Sequence, residues 1–160
     1  MKTSIFLKSV LPALALCVAG IMTSCDKDDD DNNPPNQMYT ISGNASGSQE
    51  VPAVTTTATG TLTGSYNATS NLLTYTISWN GLSGNITSAN FYGPALSGVS
   101  AGSINNITIG TNGITGSTSG TITLADSTES HLLAGKLYYN LLTAAHTTGE
   151  IRGQVVATPN

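Results

Sequence analysis

The sequence predicts an all-β protein, an antiparallel β-sandwich with one short helix near 127–134. Three observations predict it. Charged residues are only 9% of the 160, while Thr, Ser, Gly and Asn abound, a balance that suits strands and turns and starves helices. From Tyr39 onward, short runs of β-branched and aromatic residues are split by Gly, Asn and Ser. The strand expected at 72–79 then alternates, with Leu73, Tyr75, Ile77 and Trp79 on one face and Thr74, Thr76 and Ser78 on the other. That is the pattern of a half-buried antiparallel strand. The length fits one domain plus tails.

The chain divides into three parts. Residues 1–24 read as a signal segment. Lys2 and Lys8 form its positive start and residues 7–22 its apolar run, which is short for a membrane span. Met22-Thr23-Ser24-Cys25 resembles a bacterial lipobox, with cleavage before Cys25 and a lipid on its thiol. An ordinary signal peptide with an incidental cysteine is the alternative. Cys17 would leave with the signal, so Cys25 would be the one thiol of the mature chain, and no internal disulfide is expected. Residues 25–38 then form a tether. Its acidic run and Pro34-Pro35 keep it extended, and the twelve residues 26–37 reach up to ~40 Å. An acidic run so close to the cysteine resembles the export tag of surface lipoproteins in some Gram-negative bacteria, which places the protein on the outer membrane. Retention at the inner membrane through Asp26 is the other reading.

The third part, 39–158, is the folded domain. Strands are expected at 39–45, 58–66, 72–79, 86–92, 103–109 and 116–124. The segment 47–57 is an irregular connection, because Pro52 suits an edge or loop rather than a central strand. Residues 67–71 form a turn. Trp79, on the apolar stripe of its strand, is assigned to the core. In 126–134 Asp126 is placed as the helix cap, with Glu129 three residues on as in a capping box, and Gly135 as the stop. A closing hairpin starts at Lys136. Its returning strand puts Ile151, Gly153 and Val155 on one side and a polar row of Glu150, Arg152 and Gln154 on the other.

Chemistry is sparse. After Tyr39 the chain holds four acids (Glu50, Asp126, Glu129, Glu150) and two strong bases (Lys136, Arg152). Glu50 and Glu150 are the one pair left for acid–base work, the Gly-x-Ser-x-Gly string at 98–102 lacks the strand–glycine–helix context of a nucleophile elbow, and no catalytic residue is assigned. The acidic balance and lone arginine argue against nucleic acid. His131 and His146 are too few for a metal centre, so neither metal nor cofactor is expected. Arg152 is expected to be at least partly buried and to form a structural ion pair with Glu50 or Glu150. Tyr92, Tyr138 and Tyr139 are candidate ligand-facing aromatics. Asp126-Ser127-Thr128 resembles a bacterial O-glycosylation acceptor, with Ser127 as the modified residue. The four Asn-x-Ser/Thr sequons, at Asn44, Asn67, Asn85 and Asn106, are read as a by-product of Thr-rich strands.

Several pieces, in order, resemble one known family. They are Gln49-Glu50-Val51-Pro52 with Ala58-Thr59-Gly60 after it, then Gly81-Leu82, and Phe91-Tyr92-Gly93-Pro94-Ala95. Leu132-Leu133-Ala134-Gly135, Leu137-Tyr138 and Asn140 follow, and GEIRGQV at 149–155 is the closest match. The chain resembles the CHRD domain, found as a repeat in chordin and also in bacterial proteins, over roughly Tyr39 to Ala157. The resemblance implies an immunoglobulin-like sandwich. The family pattern often carries histidines where this chain has Asn90, Tyr92 and Leu142, so any cluster they form is missing here. The expected role is a non-enzymatic, cell-envelope binding or structural module, held to the membrane by a lipid anchor, with a protein or a glycan as partner. The alternatives are a carbohydrate-binding accessory protein and a metal-binding or redox sandwich.

Overall fold

The first three strands are consecutive antiparallel neighbours: β1 (Met38–Ser46) with β2 (Thr59–Asn67), and β2 with β3 (Leu72–Asn80). In β3 the predicted alternation is realised. Leu73, Tyr75, Ile77 and Trp79 are buried, and the residues between them are exposed. This computed structural model describes residues 37–110 and 112–160. The expected signal segment, Cys25 and the acidic run of the tether lie outside the described residues.

Six further strands and one helix follow: β4 (Ile86–Tyr92), β5 (Ser103–Asn106), β6 (Gly116–Thr123), α1 (Asp126–Leu133), β7 (Tyr138–Thr143), β8 (Ile151–Gln154) and β9 (Val156–Pro159). All ladders are antiparallel. Their order is β5-β4-β7-β8-β1-β2-β3-β6, with β9 continuing beside β1. The all-β antiparallel prediction with one short helix therefore holds. The two-sheet layering does not appear: one unbroken run of ladders curls into a nearly closed barrel. Residues after β5 bridge the seam. The Thr118 hydroxyl donates to the Thr108 carbonyl at 2.7 Å, and the Asn112 side chain brackets the Ile86 backbone, accepting from its N–H at 2.8 Å and donating to its carbonyl at 2.9 Å. Inside, Tyr75 from β3 meets Phe91 from β4 edge to face at 5.2 Å, a favourable aromatic geometry.

Three local predictions need correction. Asp126 does not cap α1. The cap position is Ala125 with no side-chain hydrogen bond, and the Asp126 carboxylate instead accepts from the Asn71 side chain at 2.9 Å. A tertiary partner has outcompeted the local cap. The strand expected over 103–109 stops at Asn106: the Ile107 N–H still bonds the Ala89 carbonyl of β4, but the Thr108 carbonyl already accepts from Thr118 of β6 across the seam. β9 was not anticipated. Its pairing with β1 runs from Tyr39↔Pro159 to Ser42↔Val156, while β8 pairs with β1 at Ala45 and Ser46. The end of α1 is as expected. Gly135 sits at φ +66, its N–H bonding the Leu132 carbonyl and the Lys136 N–H reaching His131, which is the Schellman arrangement.

Candidate functional site: a buried polar clasp on the closing hairpin

β8 lies between β7 and β1, so its side chains alternate between the barrel interior and the outer face. Ile151 and Val155 enter the core. The polar row of Glu150, Arg152 and Gln154 points the other way, but it does not meet solvent. Glu150 is 0% and Arg152 2% exposed, because the 47–57 and 93–102 loops fold over them.

Each member of the row holds a different piece of chain. The Glu150 carboxylate accepts from the Ser83 hydroxyl at 2.5 Å, the Ser83 N–H at 2.8 Å, the Thr143 hydroxyl at 2.7 Å and the Thr56 hydroxyl at 3.1 Å. Burial alone would raise its pKa. The hydrogen bonds from Ser83, Thr143 and Thr56 outweigh burial and hold it below the ordinary range. Arg152 donates to the Leu96 carbonyl at 3.2 Å and contacts the Gln154 side-chain oxygen at 3.5 Å. Gln154 donates at 2.8 Å to both Ala95 and Gly135 carbonyls, and its N–H reaches the Gln49 side chain at 3.5 Å. In this way the hairpin gathers segments around residues 49, 56, 83, 95 and 135.

The arginine itself is stacked. Its guanidinium carbon lies 3.5 Å from the centre of the Tyr138 ring, and Tyr92 stacks on Tyr138 from β4 at 5.1 Å with an 8° tilt. Cation and ring attract through the ring quadrupole, more strongly where water is excluded. The Tyr138 hydroxyl accepts from the Ala101 N–H at 3.1 Å, pinning the 93–102 loop.

Above Arg152 the 47–57 loop brings in Glu50, 8% exposed. Burial pushes its carboxyl up to about 7, against the pull of the Arg152 charge and a hydrogen bond from Asn140. That bond, Asn140 Nδ2 to Glu50 Oε2, is 3.3 Å long, and the same amide also donates to the Thr148 carbonyl at 3.2 Å. Glu50 Oε1 and Asn140 Oδ1 are buried without a partner.

The two glycines of GEIRGQV are explained by close approach. Gly149 has φ +141, and a Cβ there would fall 2.5 Å from Glu50 Oε1 and against the Asn140 amide. A Cβ on Gly153 would stand 2.5 Å from the Tyr139 ring and 2.8 Å from the Asn44 carbonyl. Only glycine lets the loop and the ring pack so tightly.

The expected ion pair does not form: the guanidinium's hydrogen bonds go to Leu96 and Gln154, hydroxyls and the Ser83 N–H fill the Glu150 carboxylate, and Arg152 reaches Glu50 only through its charge. Two of the candidate ligand-facing aromatics need correction: Tyr138 and Tyr139 are 3% and 0% exposed. Burial pushes the Tyr139 phenol up, and its hydroxyl donates to the Gly43 carbonyl inside the fold. Tyr92 is half-buried against Tyr138. Ser127 is exposed on the first turn of α1, and His146 lies in the β7–β8 turn. Trp79 is core, its indole N–H donating to the Gly113 carbonyl. Sequence reasoning missed Asn140, Ser83 and the Tyr92–Tyr138 stack. Their signal was the period of two, which puts Tyr138 and Asn140 on the face that pairs with Gln154 and Arg152.

Among the described residues no group of three or more His, Cys, Asp or Glu side chains is placed to hold a metal ion, and no helix is long and apolar enough to cross a membrane. No curated protein and no solved structure matches this chain. A family model described as the CHRD domain does match, over residues 41–155, from the first strand through the clasp. That span takes in the glycines, the buried acids and the stacked arginine alike, and the chain belongs to the CHRD domain family.

Proposed function

We propose that this CHRD domain is a non-enzymatic binding or structural module of the cell envelope, carried outside the outer membrane by a lipid on Cys25 and the acidic tether. One observation carries the reading: three of the domain's six acidic and strongly basic groups are spent inside the clasp. Glu50, Glu150 and Arg152 tie loops to the closing hairpin, an arrangement suited to a rigid scaffold. The two loops that meet at Arg152 carry Val51, Leu96 and Val99 on their exposed side. Such apolar loop tips on a rigid frame favour a protein partner. A glycan partner would want a flat exposed aromatic pair, and burial of Tyr138 and Tyr139 takes that support away.

The test has two readouts on intact cells. Intact mass of the native protein should show a diacylglycerol-modified Cys25 at its start, and Cys25→Ala should release the protein from the membrane fraction. External protease should remove the domain without lysis. An unmodified Cys25, or a domain protected until lysis, defeats the anchored or the surface-exposed part of the reading respectively.

A further inference from the structure

We propose that a proton held between Glu50 and Asn140 latches the 47–57 loop onto the β7–β8 hairpin, and that loss of this proton frees the loop. The geometry asks for it. Glu50 Oε1 and Asn140 Oδ1 are both acceptors, both buried and both without a partner. Each lies within 2.5 Å of the point where a Cβ on Gly149 would stand, so they crowd the same small space. Two facing acceptors cannot bond each other, and leaving both unpaired is costly. The Asn140 amide cannot simply turn over, because its nitrogen already serves Glu50 Oε2 and the Thr148 carbonyl. A single proton on Glu50 Oε1 turns that oxygen into a donor to Asn140 Oδ1 and satisfies both atoms.

The charged and titratable surroundings agree. From β8, Arg152 favours the ionised carboxylate, but burial outweighs it and the carboxyl titrates near neutrality. From β4, Tyr92 faces the same carboxylate and contributes no positive charge. From β7 come the Asn140 amide and the Tyr138 ring that carries Arg152. Glu150, bonded to Thr56 at the far end of the loop, keeps its charge and its hydroxyl partners. Deprotonation, with the proton passing to solvent, sets a carboxylate against the Asn140 carbonyl oxygen. The loop responds because Glu50 is its inner anchor, while Val51, Pro52 and Ala53 beside it are exposed.

The experiment is carried out on the full chain. The side-chain carboxyl carbon of Glu50 is followed by NMR from pH 4 to 9, and hydrogen exchange is read at the Glu50 and Val54 amides, both bonded to the Gly47 carbonyl in the closed loop, corrected for intrinsic rates. The latch predicts that Glu50 titrates well above the ordinary 4.5. It also predicts that exchange at these amides rises ~10-fold or more between pH 5 and pH 9. Glu50→Gln supplies a permanent donor, so its loop should stay protected throughout. Glu50 titrating at its ordinary value, with a water bridging the two oxygens, overturns the proposal. So does a Glu50→Gln loop that opens with pH as the wild type does.

Discussion

The guanidinium of Arg152 sits 3.5 Å from the centre of the Tyr138 ring, in the space where the 47–57 and 93–102 loops meet. A cation in such a place is held by the ring, by the Leu96 carbonyl and by the nearby Glu50. Its removal strands all three.

Arg152→Ala is expected to cost about 3 kcal/mol, the range for breaking a buried charged cluster by removing one member. Arg152→Lys keeps the charge but loses the planar stack and should fall between the two. Urea unfolding of both variants checks this. An unchanged midpoint for Arg152→Ala would remove the clasp's central tie from the account.

Stability should peak near the ordinary glutamate pKa of 4.5. Glu50 has a folded pKa raised to about 7, so the folded state keeps a proton that the unfolded chain has lost between those values. Its contribution is full below 4.5 and is lost as pH rises through 7, by at most about 3 kcal/mol and less where water screens the group. Glu150 runs the other way: its pKa is lowered, so its contribution is present above 4.5 and lost as pH falls. Denaturant midpoints measured from pH 3 to 9 should trace that maximum, and Glu50→Gln should flatten the alkaline side.

Gly149→Ala and Gly135→Ala form a matched pair. Both glycines have positive φ, at +141 and +66, but only Gly149 has neighbours where a Cβ would go. Gly135→Ala should cost about 1 kcal/mol for backbone strain alone. Gly149→Ala should cost roughly 3 kcal/mol or more, since it also expels Glu50 or Asn140. Equal losses in thermal melts would contradict the close approach.

Ser83→Ala and Glu150→Gln should be strongly non-additive. Ser83 gives two of the hydrogen bonds on the Glu150 carboxylate, through its hydroxyl and its N–H. A double-mutant cycle is expected to show coupling of about 1–2 kcal/mol. Coupling near zero would mean that the Ser83 hydroxyl adds nothing to the hold of Thr143, Thr56 and the Ser83 N–H on the carboxylate.

Much of this was readable in advance where the physics is local. The alternation of β3, the glycine that ends α1 and the closing hairpin are properties of neighbouring residues, and they stand where expected. Burial of Arg152 was readable too, from the scarcity of charge around an apolar hairpin. What escaped depends on partners far along the chain. Asp126 gave up its cap for Asn71, 55 residues away. β9, only four residues long, has no periodicity of its own and exists because β1 offers it an edge. Tyr138 looked like a ligand platform until two loops covered it.

The clasp also sets the order in which this domain can be completed. Gln49, Glu50 and Thr56 find their partners 105, 90 and 94 residues later in the chain. Until the last strands exist, those loops have nothing to close on, and contacts so distant make folding slow. A chain emerging amino end first therefore remains open and threadable for nearly its whole length, and becomes rigid only when Arg152 arrives.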